Sequence, residues 1–133
     1  MTCVRDIIAV SGLAVRVHLA YKDAPDHYRH ISEDVAELRV LLDKVAQHFK
    51  STNINSHDHQ YGQKLWNGCR TVLEDLNSFI EKYKKLVAIN KGFIGTVKLG
   101  NKDITALHSQ LISKTALMNG FVRRFVVPAT YAF

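Results

Sequence analysis

The residues best equipped for chemistry in this chain are its seven histidines: His18, His27, His30, His48, His57, His59 and His108. His27 and His30 are three apart, a spacing that on a helix can bring two imidazoles to one metal ion. His57-Asp58-His59 forms a second cluster. A structural zinc centre, however, takes four ligands and usually includes cysteine. Cys3 and Cys69 belong to no CxxC pair, and no HExxH motif occurs. The expectation is surface histidines with no metal and no cofactor.

The carboxylates point the same way. Glu33-Asp34 and Glu74-Asp75 are adjacent pairs, and neighbours on a helix point about 100° apart, so they do not converge as an acid and base must. They read as solvated faces. Gly92-Phe93-Ile94-Gly95 lacks the Gly-Lys-Ser/Thr of a phosphate loop, and no Gly-x-Ser-x-Gly elbow is present. Cys69 falls on an apolar helical seam and reads as a small core residue. These features predict a protein that is not an enzyme and has no small-molecule substrate.

Charge narrows the partners. The chain carries a net charge of +6, all of it in the second part: residues 1–50 hold 7 basic and 7 acidic residues, and residues 51–133 hold 11 and 5. Lys82, Lys84, Lys85, Lys91 and Lys98 concentrate the surplus and are the candidate contacts to an anionic lipid surface. They alternate with apolar positions such as Tyr83 and Leu86 and match no DNA- or RNA-binding pattern, so nucleic acid is not the expected partner. Two unpaired cysteines suit a reducing, cytoplasmic compartment, with the basic half able to hold the domain at a membrane periphery.

Four helices must position these groups, and the predicted fold is an all-α, four-helix bundle in one domain spanning 1–133. The first helix, about 5–22, is apolar on nearly all sides. Ile7, Ile8, Val10, Leu13, Val15, Val17 and Leu19 carry it, with Ser11 and Gly12 as weak points. It is too short for a bilayer span, and Asp6 beside Arg5 spoils a signal-peptide n-region. The second helix, about 26–50, follows the break at Ala24-Pro25. It repeats Tyr28, Ile31, Val35, Leu38, Leu42, Val45 and Phe49 at heptad spacing. The third, about 57–87, does the same with Leu65, Cys69, Val72, Leu76, Phe79, Tyr83 and Leu86, widened by Trp66, Leu73 and Ile80. Residues 90–100, with three glycines, read as a mobile loop. The fourth helix, about 101–126, has Asn101 and Asp103 suited to its start and Pro128 predicted to end it.

The run Ile7-Ile8-Ala9-Val10-Ser11-Gly12-Leu13-Ala14, then Ala20-Tyr21-Lys22-Asp23-Ala24-Pro25 with Tyr28-Arg29, resembles the N-terminal domain of fungal STAND proteins. Gly68-Cys69-Arg70-Thr71-Val72-Leu73-Glu74-Asp75-Leu76, Lys82-Tyr83, Asp103-Ile104, Leu107 and Leu111 extend that resemblance from Asp6 to Phe125. The family is similar to the HeLo and HeLo-like bundles. The resemblance implies a signalling or cell-death domain that clusters on an upstream cue and acts on membranes through its first helix. A protein-docking or self-association module without membrane activity is the alternative reading. The two part at residues 1–22, which must leave the bundle in the first and stay in the core in the second.

Overall fold

The structure is a computed structural model that describes residues 3–24, 26–51, 56–89 and 104–131. Among these it forms four helices and no strand: α1 (Cys3–Lys22), α2 (Asp26–Ser51), α3 (Ser56–Ile89) and α4 (Ile104–Tyr131). The predicted all-α bundle is therefore the observed architecture.

The heptad seams build the core. Every seam residue of α2 from Tyr28 to Phe49 is buried, as are Leu65 to Phe79 on α3, while Tyr83 and Leu86 pack partly buried at the edge. Such a repeat keeps one side of a helix turned to its neighbours, which is why these positions and not the intervening Glu and Lys go inside. On α4 the inner row is Leu107, Leu111, Thr115, Met118 and Val122. Thr115 stands at a core position because its hydroxyl donates to the Leu111 carbonyl at 2.8 Å, satisfying it within the helix.

α1 packs against α2 and α3, and α4 packs against the same two, so α1 and α4 stand at opposite corners of the bundle. α1 and α2 run antiparallel, since Ser11 meets Asp43 and His18 meets Ser32. α3 and α4 do likewise, through Asp58 with Arg124 and Tyr61 with Phe121. α2 and α4 run parallel, pairing Asp34 with His108 and Phe49 with Phe121.

Aromatic knots close both ends. At one end Tyr28 meets Phe79 and Tyr83 edge-on, with ring centroids 5.8 and 5.4 Å apart. At the other, Phe49 packs edge-on to Trp66 at 5.6 Å. Gly62 makes this second knot possible: a Cβ there would lie 2.6 Å from the Trp66 ring and 2.9 Å from the Phe121 ring.

One boundary departs from expectation. Pro128 does not end α4, which continues to Tyr131. A proline in the last turn removes one N–H donor but keeps a helical φ, so the helix runs on for a few residues. The expected loop 90–100, the N-cap positions Asn101 and Asp103, and Pro25 lie outside the described residues.

Candidate functional site

The candidate residues of α1 divide between two faces. Ile7, Val10, Leu13 and Val17 are buried, together with Ala14 and Tyr21. Val15 is half-buried. Ile8 and Leu19 lie outside, 49% and 55% exposed. Arg5, Gly12 and Arg16 share that outer face, and a Cβ on Gly12 would meet nothing within 4 Å.

Polar bonds tie α1 to both neighbours. The buried Ser11 hydroxyl donates to Asp43 Oδ1 at 2.6 Å. His18 Nδ1 lies 2.9 Å from the Ser32 carbonyl and 2.8 Å from the Ser32 hydroxyl, which is also 3.2 Å from the His18 carbonyl. The Tyr21 hydroxyl donates to the Leu76 carbonyl of α3 at 2.7 Å in a buried site. Burial pushes the Tyr21 phenol well above its ordinary range, with Tyr28 adding to the effect. Ser11, read from sequence as a weak point in the helix, is thus an anchor. Its hydroxyl would be costly to bury unbonded, and Asp43 supplies the acceptor.

The histidines are not all surface groups. His108 on α4 is half-buried, its Nε2 2.6 Å from Asp34 Oδ2, and its ring meets His30 at a centroid distance of 4.6 Å. Asp34 is therefore a partner between helices and not simply part of a solvated face with Glu33. The His27 side chain lies outside those described. His57 stays exposed beside Asp58, while His59 packs near Phe49. Among the described residues no group of three or more His, Cys, Asp or Glu is placed to hold a metal ion.

Lys82, Lys84 and Lys85 are exposed on the last turns of α3. Lys91 and Lys98 lie outside the described residues. Cys69 is buried, and burial pushes its thiol up to about 12, with the Lys114 ammonium pulling weakly the other way. Such a thiol is protonated and inert at neutral pH.

Two grooves have contrasting linings. One, of about 530 Å³ between α1 and α3, is bordered by Asp6, Arg16, Arg70 and Glu74. The other, of about 420 Å³ between α2 and α4, has Ile112, Thr115 and Ala116 on one wall and Asp34 and Glu37 on the other. No helix among the described residues is long and apolar enough to cross a membrane.

With this geometry, comparison of the chain with protein-family models, curated proteins and solved structures gives no match. Sequence reasoning missed the Ser11–Asp43, His18–Ser32 and His108–Asp34 contacts. Each joins residues far apart in the chain, and no short motif announces them.

Proposed function

We propose that this domain is a non-enzymatic signalling module that acts by docking to protein partners, itself included, through outward helix faces while α1 stays in the core. The attachment of α1 carries this reading. Releasing it would uncover Ile7, Val10, Ala14, Val17 and Tyr21, all essentially inaccessible to solvent. It would also break the bonds from Ser11, His18 and Tyr21. At roughly 1.5–3 kcal/mol per large apolar side chain, release opposes much of the 5–15 kcal/mol that holds a typical domain folded.

Under the sequence resemblance to HeLo-type fungal N-terminal domains, such a module would serve immune-type signalling. That resemblance also supplies the competing proposal, in which α1 leaves the bundle and enters a bilayer. The outer face of α1, with Arg5, Ile8, Arg16 and Leu19, and the exposed Lys82, Lys84 and Lys85 favour at least peripheral contact with anionic lipid. A disulfide lock between α1 and α2, through Ser11→Cys with Asp43→Cys, separates the two. Under the docking reading, the full chain causes no leakage from anionic liposomes even when forced to cluster, locked or not. Leakage by the unsubstituted chain, matched by the reduced double-cysteine protein and abolished on locking, would establish the membrane reading instead.

A further inference from the structure

We infer that the outer side of α4 is a self-association face on which two copies of this chain pair antiparallel about a two-fold axis. The inference rests on the docking reading above and names its partner. From Ile104 to Val122, about 28 Å of helix, no exposed residue is charged. The other three helices carry exposed Arg, Lys, Asp or Glu at shorter intervals along their outer sides, and charge returns on α4 at Arg123 and Arg124. Two large apolar residues stand on this face, Ile112 at 52% and Leu117 at 44% exposure. Between them run Ser109, Ser113, Ala116 and Gly120, spaced 4, 3 and 4, a second seam opposite the buried one. A Cβ on Gly120 would meet nothing within 4 Å, so packing inside this chain gives no reason for glycine there.

The occupant follows from charge and symmetry. A partner that offers ions gains nothing on an uncharged face and leaves them desolvated, so the complement must be uncharged and closely approachable. The α4 face of a second copy has that composition. It also lets two chains of net charge +6 meet without bringing basic surfaces together. In an antiparallel pair centred between Lys114 and Thr115, Ser113 falls opposite Ala116 of the second copy, and Ser109 opposite its Gly120. Ile112 from both copies then lines one edge and Leu117 the other, an isologous contact that closes on itself. The groove of about 420 Å³ beside Ile112 lies on the Ile112 edge. Its α4 wall of Thr115, Ala116 and Asn119 gives the second copy's Ile112 a place to seat, while Asp34 and Glu37 form the far wall on α2. Lys114 is turned away toward α3, its side chain close over Gly68. A helix pair of this length covers roughly 1,000 Å² counting both copies, about the lower limit for a specific interface.

Sedimentation equilibrium of the full chain up to roughly 0.3 mM, a range that reveals even weak pairing, is the test. The expected result is a monomer–dimer equilibrium that sodium chloride leaves unchanged and sulfate strengthens. Ala116→Glu and, separately, Ser113→Glu should each weaken dimerisation at least about 100-fold, because like charges meet across the two-fold axis. Both positions are exposed, so unchanged circular dichroism and melting would show that the monomer survives. Val40→Glu, at an exposed apolar site on α2, should leave the dimer intact. A chain that stays monomeric throughout, or a dimer indifferent to both glutamates, overturns the inference. So does binding to neutral phosphatidylcholine vesicles that Ala116→Glu abolishes without any dimer forming. None of these results touches the liposome test of α1, so the failure of one reading is distinguishable from the failure of the other.

Discussion

α1 and α4 stand at opposite corners of the bundle and are its two most apolar helices, yet they differ in where their polar groups go. α1 turns Ser11, His18 and Tyr21 toward its neighbours and bonds all three, while its outer face carries Arg5 and Arg16. α4 is also bonded to its neighbours, through His108 to Asp34 and Arg124 to Asp58. It keeps its serines outside, however, and exposes Ile112 and Leu117 beside them, with no exposed charge from Ile104 to Val122. Apolar content alone would make both helices core elements, or both membrane-seeking ones. Both helices are fastened into the fold, so the difference lies on their outer faces, which carry charge on α1 and none from Ile104 to Val122 on α4.

The sharpest break of this contrast is to empty the core beneath both helices. Leu42→Ala and Leu76→Ala, at sites with no solvent exposure, should each cost about 2–5 kcal/mol in chemical denaturation. A loss below about 0.5 kcal/mol at both would mean the seams are surface.

Glycines sharpen the contrast next. Gly62→Ala should destabilise by about 1–3 kcal/mol, because its Cβ collides with the fully buried Trp66 ring. Gly12→Ala and Gly120→Ala meet open space and should instead stabilise the monomer by up to about 1 kcal/mol. Equal responses at Gly62 and Gly12 would show that the close approach at the aromatic knot is absent.

Tyr21→Phe removes one buried donor from the α1 side and should lower stability by about 0.5–1.5 kcal/mol. Hydrogen exchange should then show α1 opening more readily with α4 unchanged. Equal loosening of both helices would deny that Tyr21 holds α1 in particular.

The smallest effect at neutral pH, where it is absent, is a pH dependence that emerges only in alkali. The Cys69 thiol is raised in the fold from its ordinary value of 9.0 to about 12, so its folded site favours the proton. Its contribution is fully present below pH 9 and is lost as pH rises from 9 toward 12, because the unfolded chain gives up that proton first. Cys69→Ala should flatten the fall seen in alkaline denaturation, and native Cys69 should resist alkylation at pH 8. Rapid labelling there would place the thiol at the surface.

Periodicity alone determined the four helices and the buried rows of α2 and α3, because a seven-residue repeat of apolar side chains has one stable arrangement, facing other helices. It also identified Trp66, Leu73 and Ile80 as the broadening of the α3 row, and all three are buried. It could not divide α1 into inner and outer halves, since Ile7 and Ile8 look alike until α2 and α3 cover one of them. Nor could it pair Ser11 with Asp43, His18 with Ser32, or His108 with Asp34, residues separated by 32, 14 and 74 positions. Those contacts need the helices side by side. Hydrophobic pattern is local and survives in a bare sequence, whereas a hydrogen bond between helices exists only once packing has removed water from both partners and left each the other as its nearest replacement.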